Sequence, residues 1–268
     1  MKRFLVALLL SSCASVAPDP SFHVMTYNIR LNLASDGPNA WPHRKDAVAA
    51  LLSRADLAGV QEAPPEQLSD LDALLPGFDR FGVGRNAARS GEHSAIFYRT
   101  DRFELLDHDT FWLSETPRIA GSKGWDAAYE RIVTWGRLRD RRTGRTFFHF
   151  NTHFDHVGKI ARRESGRLLT SRVDRIASRA PVIVTGDFND VAPELGAGLR
   201  DTRTTRYEGP DSTWNGFQAI EPGRRIDFIF VGGPIEVLTH TTIADTLPDG
   251  RFPSDHLPVM AEVRVGDD

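Results

Sequence analysis

The chain has 268 residues, 40% of them hydrophobic and 26% charged, which fits one large α/β domain, or at most two small ones, and leaves room for a sizeable core. Lys and Arg number 33 against 36 Asp and Glu, a net charge of −3. Bulk charge therefore does not favour a protein whose main task is gripping nucleic-acid phosphates, although a local basic rim can hide in a neutral total. Cys13 is the single cysteine, so no intrachain disulfide forms and stability has to come from the core.

The chain opens with Met1, Lys2 and Arg3, a short positive segment, followed by the unbroken apolar run Phe4–Leu10 and the small residues Ser11–Ser15. The apolar run is too short to span a bilayer, and the whole has the shape of a bacterial export signal. Leu10-Ser11-Ser12-Cys13 resembles a lipobox, in which the cysteine becomes the lipid-modified first residue of the mature protein. The expected organisation is a signal peptide over 1–12, a tether over 13–21 containing Pro18 and Pro20, and a single domain over 22–268. The expected location is the bacterial envelope, on its periplasmic or outer face. An ordinary signal cleaved near Ala17, giving a secreted protein, is the other reading.

Beyond the tether, apolar runs alternate with turn signals. Phe22–Ile29 alternates as a strand does. Trp41–Arg54 starts near Pro42 and places Val48, Leu51 and Leu52 on one face, as a helix does. Leu57–Gln61 reads as a short buried strand. Pro64–Leu75 reads as a helix with proline in its first turn, stopped by Pro76-Gly77. Strands are predicted at Ser94–Arg99, Phe103–Leu106, Ile132–Arg139 and Thr146–Thr152, with Gly144 in the turn between the last two. The longest predicted helix is Lys159–Ser178, with Ile160, Leu168, Leu169, Val173 and Ile176 as its stripe. Strands at Pro181–Thr185, Ile226–Val231 and Leu257–Val265 complete the series. Two long loops, Asn32–Ala40 and Leu113–Glu130, remain as functional elements or surface decoration. Strands outnumber helices without strict βα alternation, which points to a layered α/β domain with mostly antiparallel pairs rather than a Rossmann fold.

Six polar clusters sit at strand ends, where a rigid backbone positions side chains well: Tyr27-Asn28, Gln61-Glu62, Asn151-Thr152-His153 with Asp155-His156 beyond, Gly186-Asp187-Phe188-Asn189, Asp227 inside Ile226–Phe230, and Asp255-His256 between Pro253 and Pro258. Each alone has an ordinary structural explanation as a cap or turn. Asp227 is the hardest to explain that way, because a carboxylate inside an apolar run is costly unless paired or bound to a cation.

Taken in order, M-T-Y-N-I, V-Q-E, G-E-H-S-A-I-F-Y-R, N-T-H, G-D-F-N, R-I-D-F-I-F and S-D-H-L-P form a series that resembles the endonuclease/exonuclease/phosphatase superfamily, from about Phe22 to Val265. The resemblance implies a four-layer α/β/β/α sandwich of two packed mixed β-sheets flanked by helices, with the active site in a cleft at one end, and a divalent-metal-dependent phosphoesterase. It implies Glu62 as main ligand of Mg²⁺ or Mn²⁺, with Asn28 and Asp255 completing or flanking the site. Asp187 would orient or deprotonate the attacking water, and Asn189 would steady an oxygen. His256 would donate to the phosphate, held by Asp227, a pairing that raises the imidazole pKa. His153 would be the second phosphate-facing imidazole, with Glu92 as its partner. Arg131 is a candidate phosphate contact or an ion-paired group, Asp155-His156 a second site or a polar turn, His43-Arg44-Lys45 a cleft rim or a solvated helix face. Trp112, Trp125, Trp135 and Trp214 are candidates for a stacking surface, with core packing expected for most of them. The substrate stays open among small phosphoesters, lipid head groups and nucleic acid. A secreted nuclease and a non-catalytic binding lipoprotein are the alternatives, and no obligate protein partner is evident.

Overall fold

The computed structural model describes residues 20–203 and 206–266; the expected signal peptide and the lipidation of Cys13 lie outside the described residues. The first strand, β1 (Ser21–Asn28), begins inside the stretch expected to be tether. It lies at the middle of a seven-stranded sheet. On one side it pairs parallel with β2 (Leu57–Ala63), which is followed outward by β4 (His93–Arg99) and the edge strand β3 (Phe78–Phe81). On the other side it pairs antiparallel with β13 (Val259–Val265), then β12 (Ile235–Thr242) and the short β10 (Tyr207–Glu208). The second sheet has six strands in the order β5 (Phe103–Trp112), β6 (Ile132–Asp140), β7 (Thr146–His153), β8 (Val182–Asp187), β11 (Asp227–Gly232) and β9 (Leu199–Asp201). Its one parallel pair is β7 with β8.

Three apolar clusters define four layers. Val24, Leu57 and Ile96 from the first sheet meet Leu138, Phe147, Ile183 and Ile229 from the second. The outer face of the first sheet is covered by α1 (Lys45–Leu52) and α2 (Pro65–Leu74), whose Val48, Leu52, Leu68 and Leu71 pack on Met25, Tyr27, Val60 and Phe97. The outer face of the second is covered by α3 (Lys159–Ala177), through Leu169, Val173 and Ala177 against Phe150, Val184, Phe228 and Phe230. Each sheet is thus apolar on both faces, which explains why β8 and β11 are buried at every position and read as unbroken hydrophobic runs. The α/β/β/α sandwich implied by the sequence is the observed architecture.

Several boundaries differ, for local reasons. The helix predicted from Trp41 divides into a 3-10 turn at Trp41–His43 and α1. The loop Asn32–Ala40 holds another 3-10 segment, Ala34–Asn39. The strand predicted to end at Leu106 runs on to Trp112, through a register shift between Leu105 and Asp107 and the exposed Asp107-His108-Asp109. β12 was not predicted; its Thr239-His240-Thr241 stretch lacks the alternation that marks a strand. The short β3, β9 and β10 give too few residues for a pattern.

One polar tie crosses the apolar interior. Asn151 of β7 sends its amide nitrogen to the carbonyls of Val60 (3.0 Å) and Ala95 (2.9 Å) on the opposite sheet. Its Oδ1 accepts from Gln61 Nε2 (2.7 Å) and Thr185 Oγ1 (3.0 Å). His149 Nε2 closes the chain 2.8 Å from Thr185 Oγ1, and burial lowers that imidazole to about 3, so it stays neutral. Gly59 makes room for the tie: a Cβ there would meet Thr185 Oγ1 at 2.1 Å and Asn151 Oδ1 at 2.5 Å. Replacing Asn151 by Leu removes the donor that Val60 and Ala95 share and the acceptor that Gln61 and Thr185 share, a loss of about 2–4 kcal/mol. Urea unfolding should show a clearly lower midpoint with an unchanged slope; a midpoint within error of wild type would remove Asn151 as a tie.

Candidate active site

The strand register collects the polar clusters at one end of the sandwich. Parallel pairing sets Asn28 opposite Gln61, next to Glu62, and His153 opposite Asp187. Antiparallel pairing sets Asp227 opposite Asp187. Asp255 and His256 arrive on the segment entering β13, held by the bridge between Trp214 and His256. Three of the residues here hold left-handed backbones, Arg30 (φ 56°), Glu62 (φ 59°) and Asn189 (φ 49°). Such conformations disfavour side chains other than glycine and persist where the surroundings enforce them. At Glu62 the left-handed turn coincides with the break in register between β2 and β4, and it swings the carboxylate towards the cleft.

Asn28 links the two sheets at the cleft floor. Its Nδ2 donates to Glu62 Oε1 and to Asp187 Oδ2, both at 3.0 Å, and its Oδ1 accepts from the Arg30 amide. Glu62 Oε2 accepts from the Leu31 amide. Asp187 Oδ1 accepts from the Asn189 amide at 2.9 Å, and Asp187 Oδ2 lies 3.3 Å from His153 Nε2 and 3.7 Å from His256 Nε2. Asn189 Nδ2 is 3.0 Å from His153 Nε2 and donates to the Phe154 carbonyl. His256 Nδ1 sits 2.9 Å from Asp227 Oδ2. The other Asp227 oxygen is buried with no partner among the described residues.

Burial and neighbouring charge separate the protonation states of these groups. Burial pushes the Asp187 carboxyl up to about 7, with Asp227 adding to the rise and His256 opposing it. Burial works against a charge on His256, yet Asp227 and Asp187 together lift it to about 10. His153 moves the other way, well below its ordinary value, through burial and the nearby Arg131 and Arg85. The floor thus offers a cationic donor, a neutral imidazole and a carboxyl poised near neutrality, the separation that acid–base chemistry uses. Burial and the Glu62 charge also raise the Asp255 carboxyl.

The cleft above this floor encloses about 650 Å³. One wall is layered: Arg85 pairs with Glu92 at 2.6 Å, its guanidinium lies 5.1 Å from the Tyr129 ring, and Tyr129 stacks on His156 at 5.8 Å. On the other side Trp214 packs edge-on against His256 at 4.8 Å, with the Arg224 guanidinium 4.7 Å from the indole. The long loop 113–130 shapes the first wall and is well anchored. Asp126 accepts from the Ala161 amide (2.6 Å) at the start of α3, and Trp112 Nε1 donates to the Arg85 carbonyl (2.6 Å).

The expected partnership of Glu92 with His153 is not observed. Glu92 is paired with Arg85, and His153 faces Asn189 and Asp187. Arg131 is ion-paired, 3.4 Å from Asp155, and reaches His156 Nδ1 at 3.1 Å while still lining the cleft. Asp155 is a turn anchor that accepts from the Tyr129, Val157 and Gly158 amides. Arg44 is neither a cleft rim nor a solvated group. It is 1% exposed, and its guanidinium donates to the carbonyls of Ile29, Arg30, Asn39 and Pro253, tying the segment after β1 to the one that carries Asp255. Of the four tryptophans expected mostly in the core, only Trp112 is buried; Trp125 and Trp135 are half-buried, and Trp214 lines the cleft. Sequence reasoning missed Arg30, Arg85, Tyr129 and Arg224 as lining residues; of these, only Arg30 directly follows a motif.

If Asp227 holds the charge on His256, Asp227→Asn should move the His256 titration down by more than one pH unit. NMR titration of the ring protons in wild type should show no deprotonation below pH 8. A His256 that titrates near pH 6.5 in both proteins would contradict the assignment.

Residues 25–256 match the profile of the Endonuclease/Exonuclease/phosphatase family, and the chain belongs to that family. It is similar to the solved endonuclease/exonuclease/phosphatase from Bacteroides vulgatus, 37% identical over 92% of this chain and 100% of that one, with a TM-score of 0.86. It is also similar to the mannosyl-6-phosphatase of Bacteroides thetaiotaomicron, 36% identical over 90% and 99% of the two chains, with a TM-score of 0.84. Among curated proteins it matches nocturnin of Drosophila melanogaster, 24% identical over 64% of this chain and 32% of that one. The chain spans between about a third and three fifths of the length of the curated relatives it matches. Family members are hydrolases of phosphoester bonds, and this chain is an enzyme of that class.

Proposed function

We propose that the chain is a divalent-metal-dependent phosphoesterase that cleaves a P–O bond of a small extracytoplasmic substrate by attack of water. The observation that carries this reading is the cleft floor: the relay Asp187, His256 and Asp227 faces Glu62 and Asp255, with Asn28 bridging the two halves.

Two groups of residues compete as the seat of the metal. Asp187, Asp227 and His256 bring ligand-type atoms within 4.8 Å of one another. His256 Nδ1, however, is already held at 2.9 Å by Asp227 Oδ2, and the two neighbouring carboxylates lift the imidazole to about 10, which favours a role as donor. Glu62 and Asp255 fit better. They are hard oxygen donors at the edge of the cleft, close enough that Glu62 raises the Asp255 carboxyl. Arg30, 3.7 Å from Asp255, is shared with Asp36. Asn28 flanks them, its Oδ1 already taken by the Arg30 amide. The chemistry that Mg²⁺ or Mn²⁺ supplies when bound there is neutralisation of phosphoryl charge and stabilisation of the leaving oxygen.

The protein's own groups divide the remaining work. Asp187, poised near neutrality and fixed by Asn28 and the Asn189 amide, orients the attacking water and takes its proton. His256 donates to a phosphoryl oxygen, its charge held by Asp227. Asn189, whose Nδ2 is taken by His153 and the Phe154 carbonyl, positions neutral His153 towards a second oxygen. Arg131 and Arg85 stand behind as fixed positive charge, with Glu92 keeping Arg85 in place. The likeness to a mannosyl-6-phosphatase and the aromatic rings of Tyr129 and Trp214 that line the cleft support a sugar phosphate as the substrate class. Rings with C–H faces pack well on such surfaces. The export expected from the N-terminal sequence supports a substrate outside the cytoplasm.

Hydrolysis should be measured on hexose 6-phosphates, an aryl phosphomonoester, an aryl phosphodiester and DNA, each with Mg²⁺, Mn²⁺ or EDTA. EDTA-sensitive release from a monoester is expected. Asp187→Ala should lower turnover about 10²–10⁴-fold with folding intact. Near-normal turnover would remove Asp187 from the chemistry. Glu62→Gln should chiefly raise the metal concentration needed for half-maximal rate, and an unchanged metal titration would remove Glu62 as ligand.

A further inference from the structure

A second cavity, about 360 Å³, lies on the outer side of the second sheet between α3, the ends of β5 and β6, and the two loops that also build the cleft wall. Its floor is Phe111, Trp112 and Trp135, and four guanidinium groups line it: Arg89, Arg118, Arg172 and Arg175. These come from three separate segments of chain. None of the four makes a side-chain hydrogen bond or an ion pair among the described residues; Arg172 has only a cation–π contact, 5.5 Å from the Phe111 ring. The cavity's one acid, Asp109, accepts from the Thr110 amide at 2.7 Å.

This arrangement contrasts with the arginines of the catalytic cleft, where Arg30, Arg85, Arg131 and Arg224 each have a carboxylate partner. Arg172 and Arg175 are three apart on α3, neighbours on one helical face, and like charges there cost stability. Arg89 occupies a left-handed backbone (φ 56°) in a tight turn, its amide donating to the Asn86 carbonyl. The loop carrying it is wedged against the loop carrying Arg118: a Cβ on Gly121 would meet the Ala87 amide nitrogen at 2.5 Å. Arg89, Arg118 and Arg175 are exposed and Arg172 half-buried, and their four charges converge on one concavity with no carboxylate partner among the described residues.

We propose that this cavity binds a ligand bearing two or more phosphate groups on a flat or apolar body, at a site separate from the hydrolytic cleft. The guanidinium forks take the phosphates, and the half-buried Trp135 with Phe111 takes the body. Two phosphates match the charge better than one, because four cations face a single carboxylate that already serves the backbone.

The test is calorimetry and tryptophan-fluorescence titration of the whole folded protein in EDTA at 0.15 M salt, with ADP, inorganic phosphate and vesicles containing phosphatidylglycerol as separate probes. Saturable ADP binding at one site is expected, at least ten-fold tighter than inorganic phosphate. Arg172→Gln/Arg175→Gln should weaken it at least ten-fold while leaving metal-dependent hydrolysis of an aryl phosphate unchanged. Arg118→Gln, on an exposed loop, provides a second variant if the helix pair perturbs folding. ADP binding that survives both variants would place the ligand in the cleft and overturn the proposal. No ADP binding, or Arg-dependent binding to vesicles alone, would overturn it as well, the latter in favour of a membrane-facing surface.

Discussion

The spacing of the two sheets at the cleft end rests on the Asn151 side chain. Both sheets are apolar on their facing surfaces, and apolar packing is non-directional, so it would tolerate small slides between them. The Asn151 amide is directional. It fixes β7 to the carbonyls of Val60 and Ala95, and it holds Gln61, the residue before Glu62. Through Thr185 it also holds β8, two residues before Asp187. The bridge that Asn28 makes at the floor between Glu62 and Asp187, like that of His256 to Asp227, requires the sheets to stand at that one spacing. Two asparagines, one inside the sandwich and one at its mouth, therefore do a joint task, and Gly59 is the space that allows it.

With the spacing set, the electrostatics of the floor follow. Glu62, Asp187, Asp227 and Asp255 converge where little water reaches. Such a set persists when each charge has a partner or is held neutral. His256 supplies one positive charge between Asp227 and Asp187, and Asp187 sits near its own titration point. Glu62 and Asp255 face the open side, with Arg30 as their nearby cation, and there the proposed divalent ion would complete the balance. Arg44 contributes by another route. Its buried guanidinium is satisfied by carbonyls rather than by an acid, so it braces the loop after β1 against the Asp255 segment without drawing on the carboxylates that the floor needs.

What the sequence revealed tracks the range of the interactions involved. The sandwich was legible because the motif series and the apolar runs of β8 and β11 are local patterns. The floor residues were legible because each sits at a strand end beside a motif. The pairing of Glu92 with Arg85 rather than His153 was not, since seven positions of loop bring Arg85 back onto Glu92 and no periodicity records that. Tyr129 and Trp214 carry no local signal either; each becomes a cleft surface through contacts with chain far away, Tyr129 through Asp155 and Trp214 through His256. β5 was cut short because its exposed half carries Asp107-His108-Asp109, which reads as a turn although cross-strand pairing with β6 makes it strand.

A net charge near zero has a more specific meaning once the arginines are placed. At the cleft every lining arginine is tied to a carboxylate: Arg30 to Asp36, Arg85 to Glu92, Arg131 to Asp155, Arg224 to Glu221. Paired guanidiniums keep N–H groups for one phosphate but project little field beyond a Debye length, about 8 Å at physiological salt. A long polyanion gains its affinity by displacing many counterions along an extended basic track, and this cleft lacks one among the described residues. A compact phosphoester needs the reverse: a few donors at fixed positions, aromatic faces for the body, and a mouth whose charge does not capture every polyanion that passes. On the proposed reading, the pairing at the walls would favour small substrates by withholding long-range attraction, while the acidic floor keeps the short-range chemistry intact.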